Sequence, residues 1–196
     1  MPSADDIQSY LWACWRLMTG RADGLRSLDL SVDGFWNSFF AIIVSLPALI
    51  VGWVVYANHL AGGDEFSYRV SILAGLAFID LVSWIAPIVL LALVVGPAGL
   101  RDRFVPYVVA SNWASVIFTW LLLPPSLLEL FWPASGEFVA FLTLGIGVAI
   151  LVLAWRLTNT VIARGAGTAT AVFAGMLVTG VAVQLSLQTL LGLVPE

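Results

Sequence analysis

The chain alternates long apolar runs with short polar breaks that are rich in glycine and proline, and this pattern predicts its architecture. Five apolar runs lie at about residues 38–57, 70–96, 104–123, 138–155 and 168–193. A helix of about 20 apolar residues crosses the roughly 30 Å hydrocarbon core of a bilayer. Within each run the apolar positions are continuous rather than confined to one face, as expected for segments surrounded by lipid and other helices. We therefore predict an all-α fold, a polytopic bundle of five transmembrane helices.

The segment before the first run follows a different pattern. Between residues 5 and 18 the apolar side chains recur at helical spacing, and the tryptophans and Arg16 suit a lipid headgroup region. We predict an interfacial amphipathic helix there, with packing of the same helix on the loops of the bundle as an equally open alternative. The chain then divides into a cytoplasmic helix and linker, residues 1–37, and a transmembrane domain, residues 38–193.

The breaks between the runs set the expected helix ends. Gly96 and Pro97 are predicted to end the second span. The pair Pro124 and Pro125 is expected to end the third, because proline lacks the backbone N–H of a helical hydrogen bond. The stretch 156–167 is predicted to be the loop that follows the fourth span.

Composition supports this class and excludes several others. Of the 196 residues, 61% are hydrophobic and only 10% are charged, whereas soluble domains carry about 25% charged residues. The chain has no lysine and a net charge of -4, so we expect no nucleic-acid partner. With one histidine, one cysteine and no hydrolase, metalloprotease or phosphate-loop motif, we predict no catalytic activity, no cofactor and no metal.

The arginines are distributed unevenly between the two sides of the predicted bundle. Seven fall before the first span or after the second and fourth, and one falls on the other side. The seven are Arg16, Arg21, Arg26, Arg101, Arg103, Arg156 and Arg164. Because basic residues are enriched in cytoplasmic loops, we predict a cytoplasmic N-terminus and, after five crossings, an external C-terminus. As a separate expectation, we take the membrane to be the bacterial inner membrane.

One carboxylate, Asp80, lies near the middle of the second apolar run. An ionised side chain at that depth costs at least about 2.5 kcal/mol, so it should face protein, a partner or water. Counted along antiparallel helices, Asp80 and Asn112 are at similar depth, and we expect them to meet. The candidate intramembrane polar site is Asp80, Asn112, Ser115, Thr119, Gln184 and Gln188.

Two interpretations of this polar set stay open. It is either a clamp that holds helices together or a proton- or cation-linked site in a small transporter or channel that uses Asp80. The clamp interpretation fits a protein that contacts the lipid bilayer and acts by binding a second copy of the chain or other membrane proteins.

Five spans, an amphipathic N-terminal region and very little chain outside the membrane resemble the Yip-domain family of membrane proteins. The resemblance is architectural and covers about residues 36–193. It implies a role in membrane organisation, trafficking or complex assembly through protein contacts. The Asp-Leu-Tyr-Gly-Pro motif of eukaryotic members does not occur in this sequence, so the resemblance assigns no functional residue.

Overall fold

Five of the helices in the described chain are long and apolar enough to cross a membrane. The structure is a computed structural model, and it describes residues 1–61, 66–132 and 136–194. These residues contain no β-strand, so the predicted all-α class and the five candidate spans are confirmed. The long helices are α3 (Ala41–Ala61), α4 (Phe66–Val94), α5 (Arg101–Phe131), α6 (Gly136–Ile162) and α7 (Ala166–Leu190). The short ones are α1 (Ala4–Met18) and α2 (Val32–Ser38), with a 3₁₀ turn at Ala22–Ser27 between them.

The five long helices form a ring whose order differs from their order in the sequence. Helix α3 packs on α5, α5 on α6, α6 on α7, α7 on α4, and α4 closes the ring on α3. The consecutive helices α4 and α5 therefore make little direct contact. The space between them is where the cavity described below lies.

Helix α5 continues through the proline pair that was expected to end it. The helix reaches Phe131 with Pro124 and Pro125 inside it, so that prediction is wrong. Each proline removes only its own N–H from the helical ladder, so the loss is confined to the carbonyls four residues earlier, those of Trp120 and Leu121. Membrane helices tolerate proline inside a span.

Helix α6 is longer at its C-terminal end than the sequence pattern indicated. It continues to Ile162, so residues 156–162, predicted to be loop, are helical. The two added turns bury Leu157, Val161 and Ile162 in the same core cluster as the buried residues of α1. Packing on another helix thus extends α6 beyond the apolar run.

Helix α1 packs on the bundle along one of its faces. Ala13, Cys14, Leu17 and Met18 are fully buried, and α1 contacts α5 and α6. The Cys14 thiol donates to the Ala110 carbonyl, with 3.4 Å between Sγ and O. Burial raises the pKa of this thiol well above its usual range. Contact with the bundle, the alternative left open by the sequence, is therefore observed, and it is made with helices rather than loops.

The opposite face of α1 is exposed and carries two aromatic side chains. Trp12 is 62% and Trp15 42% exposed. These indole rings are suited to a membrane interface. The location of this face at the membrane surface stays a prediction.

Arginines join several elements at the end of the bundle where α1 lies. Arg156 donates to the Thr19 carbonyl at the end of α1 (2.9 Å). Arg164, just beyond α6, pairs with Asp102 at the start of α5 (3.0 Å). The arginines that define the predicted cytoplasmic side therefore also hold that side together, while the orientation itself stays a prediction.

Candidate functional site

Helices α4 to α7 enclose a cavity of about 440 Å³. Ligand sites typically have volumes of about 300 to 1,000 Å³ and walls that are mostly apolar with a few polar groups. The walls here are mostly apolar, and no charged side chain of residues 1–61, 66–132 or 136–194 lines them. The polar residues in the lining are Ser83, Tyr107, Ser111, Asn112, Ser115, Thr158 and Gln184.

Asn112 is the most constrained polar residue of the cavity. Its side chain is fully buried. The carboxamide oxygen accepts a hydrogen bond from Trp84 Nε1 on α4 (3.0 Å), and the amide nitrogen donates to Ser38 Oγ on α2 (2.9 Å). Ser38 in turn donates to the Phe35 carbonyl. This chain of bonds connects α2, α5 and α4, and the Trp84 side chain bridges the gap between the last two.

The predicted hydroxyl face of α5 is only partly in the cavity. Ser115 lines the cavity, whereas Thr119, one turn further on, does not. Both hydroxyls donate to carbonyls of their own helix, Ser115 to Asn112 (2.7 Å) and Thr119 to Ser115 (2.9 Å). A Ser115 hydroxyl bonded in this way keeps lone pairs that can accept a hydrogen bond from a ligand.

Asp80 lies outside the cavity lining. Its carboxylate accepts a hydrogen bond from Trp53 Nε1 on α3, with 2.7 Å between the atoms. The side chain is therefore satisfied by an indole donor at the interface of α3 and α4. Its contact is with a neighbouring helix of the same chain, as a clamp requires.

The two glutamines of α7 also separate. Gln184 lines the cavity, and Gln188, one turn on, is not part of the lining. Of the six predicted site residues, the cavity thus brings together Asn112, Ser115 and Gln184. The expected meeting of Asp80 with Asn112 does not occur, because α4 and α5 are not neighbours in the ring and each side chain bonds a tryptophan instead.

Sequence reasoning missed the tryptophans as partners. Trp53 and Trp84 lie within apolar runs, and a buried indole N–H usually finds an acceptor. A search of the predicted spans for indole N–H groups would have identified Trp53 and Trp84 as candidate hydrogen-bond donors to Asp80 and Asn112. The cavity-lining Ser83, Tyr107 and Thr158 gave no such signal, because isolated hydroxyls are common in membrane helices.

One further polar pair lies at the opposite end of the bundle from α1. His59 Nε2 is 3.3 Å from a carboxylate oxygen of Glu129, and both side chains are well exposed. Among the described residues, no three histidine, cysteine, aspartate or glutamate side chains are grouped as a metal site would require.

Comparison of the chain with models of protein families, with curated proteins and with solved structures gave no match. The resemblance to the Yip-domain family therefore stays a prediction.

Proposed function

We propose that this multi-pass membrane protein is a non-catalytic scaffold or assembly protein of the bacterial inner membrane, with its N-terminus inside. The partner contact is made by the outward faces of α6 and α7, and the first partner to test is a second copy of the chain. The Yip-like architecture and the arginine distribution support this proposal. The observation that carries it is a pair of glycine-containing helix faces that nothing in the described chain covers.

Helices α6 and α7 are the least packed of the five. In their most apolar windows only 6% of residues are buried, against 28% in the window of Val32–Ala61. On α6 the exposed face includes Phe141, Gly145, Val148 and Ala149. Gly145 and Ala149 are four residues apart, the spacing at which small residues let a second helix approach closely.

The glycines on these faces have no packing role within the described part of the chain. A Cβ added to Gly145 or Gly175 would meet no described atom within 4 Å beyond the backbone of its own helix. A glycine inside a helix costs about 1 kcal/mol relative to alanine. Because the described fold does not require glycine at these positions, we infer that the glycines allow another helix to approach closely.

The test is a bulky substitution at the centre of the α6 face. Gly145→Leu should leave the monomer folded, since the added atoms meet open space, and should reduce self-association at least tenfold. Fluorescence energy transfer between labelled copies, diluted stepwise in lipid vesicles, measures that association. Val89→Leu on α4, where Val89 is 52% exposed, is the matched control and should associate like wild type. Equal association of the two variants would refute the proposal.

The second candidate is a small proton- or cation-linked transporter or channel that uses Asp80. The few polar residues in the cavity lining are the feature that favours passage of a solute. However, Asp80 is not in that lining, and none of the described residues that line the cavity is charged, so a route through Asp80 would follow the α3–α4 interface. Proton flux into vesicles tests this candidate: Asp80→Asn abolishes the flux if Asp80 carries protons, and the scaffold proposal predicts no flux in either protein.

A further inference from the structure

The cavity reaches the surface of the bundle at α6 and α7. Three apolar residues of its lining are exposed there and form what we call its mouth: Leu151 on α6 (43%), and Leu177 and Val181 on α7 (40% and 45%). Tyr107 and Asn112, which also line the cavity, are 4% and 0% exposed and form its floor. At about 1.5 Å of rise per residue, Leu177 lies about 17 Å along α7. The mouth is thus near the middle of the spans, at the depth of the hydrocarbon core.

The polar groups of the cavity have unused hydrogen-bonding capacity. The Ser83 hydroxyl is buried. Neither this hydroxyl nor the Gln184 side chain makes a hydrogen bond with any described residue. The hydroxyls of Ser111 and Thr158 donate to carbonyls of their own helices and keep lone pairs. A buried hydroxyl without a partner costs about 1 to 3 kcal/mol, which a ligand can recover.

We propose that this cavity binds one uncharged single-chain lipid that carries a hydroxyl or carbonyl headgroup and enters sideways from the bilayer. Ser83 and Gln184 bond the headgroup, and the apolar walls of α6 and α7 hold the chain. A phosphate or carboxylate headgroup is disfavoured, because the described lining contains no cationic side chain to offset the desolvation of a charge. This inference does not rest on the scaffold proposal, since the ligand and partner faces differ.

The probe is a monoacylglycerol with a photoreactive diazirine in its chain, added to the full-length protein in lipid nanodiscs. We expect saturable labelling of peptides that contain Leu151 or Leu177, with competition by unlabelled monoacylglycerol. A phosphatidylcholine carrying the same diazirine should label these peptides at a much lower level. Equal labelling by the two probes would mean ordinary contact with surrounding lipid and would overturn the proposal.

Two serines provide a matched pair of variants. Ser83→Ala and Ser45→Ala each remove a buried hydroxyl that has no partner, but Ser45 is not part of the cavity lining. Neither change should lower thermal stability. We expect Ser83→Ala to weaken monoacylglycerol binding about threefold to tenfold, the value of one hydrogen bond, and Ser45→Ala to leave it unchanged. An equal effect of both, or none from Ser83→Ala, would overturn the assignment of the headgroup site.

A third variant fills the cavity. Ala154 lines it on α6, and Ala154→Phe should abolish labelling while the protein stays folded. Persistent labelling in a folded Ala154→Phe protein would contradict the proposal. If this variant does not fold, the comparison of Ser83→Ala with Ser45→Ala tests the proposal.

Discussion

Asn112 is predicted to be the polar residue on which the bundle depends most. The change Asn112→Leu keeps the number and branching of the side-chain heavy atoms and removes the hydrogen bonds to Trp84 and Ser38. Hydrogen bonds between membrane helices average about 0.6 kcal/mol and reach about 1.7 kcal/mol. Two bonds therefore give a loss of about 1.2 to 3.4 kcal/mol in the free energy of unfolding. The upper part of this range applies if the Trp84 N–H finds no other acceptor.

Reversible unfolding by SDS in mixed micelles, followed by circular dichroism, measures this loss. The control is Asn58→Leu, because Asn58 is exposed and its only described bond comes from the Arg69 side chain (3.2 Å). Surface changes of that kind stay within about 0.5 kcal/mol. A cycle of Trp84→Phe, Asn112→Leu and the double variant should show coupling of about 0.6 to 1.7 kcal/mol.

Two results would refute this reasoning. The first is a loss for Asn112→Leu no larger than that for Asn58→Leu. The second is strict additivity of the Trp84 and Asn112 changes, which would mean that the two side chains do not stabilise each other.

Three further predictions concern other contacts. Maleimide should label Cys14 at least a hundredfold more slowly in the folded protein than in SDS at pH 8. Burial raises the pKa of this thiol in the folded state. The stability that the buried thiol contributes is therefore present below the ordinary thiol pKa of about 8.5 and is lost as the pH rises above that value. Asp80→Asn should unfold at nearly the same SDS concentration as wild type, since the amide oxygen still accepts the Trp53 N–H, whereas Asp80→Leu should lose about 1 kcal/mol. Arg156→Gln removes the bond to the Thr19 carbonyl and should speed Cys14 labelling several-fold while the global unfolding midpoint stays within error.

The sequence pattern predicted those parts of the fold that depend on local composition. Continuous apolar runs identified the spans because each one reflects transfer of a segment into hydrocarbon. The pattern failed where a neighbouring helix determines the result. Residues 156–162 are helical because Leu157 and Val161 pack in the core cluster shared with α1, and a window over α6 alone does not contain that information.

The sequence predicted the depth of the candidate site residues along their helices but not which of them are partners. Depth along the helices placed Asp80 and Asn112 at one level, but depth does not say which helices are neighbours. In the ring, α7 and α3 flank α4, so Asp80 bonds Trp53 and α5 lies across the cavity. The six polar residues all lie in helices that are candidate spans, whereas their pairing required the order of the helices in space.

The most direct test of the scaffold proposal is disulfide cross-linking in native membrane vesicles. Gly145→Cys places a thiol at the centre of the exposed α6 face, and the buried Cys14 contributes no background. We predict that mild oxidation converts Gly145→Cys to a covalent dimer and that Val89→Cys, a thiol on the exposed face of α4, stays monomeric. No dimer from Gly145→Cys, or equal amounts from both positions, would contradict the proposed contact.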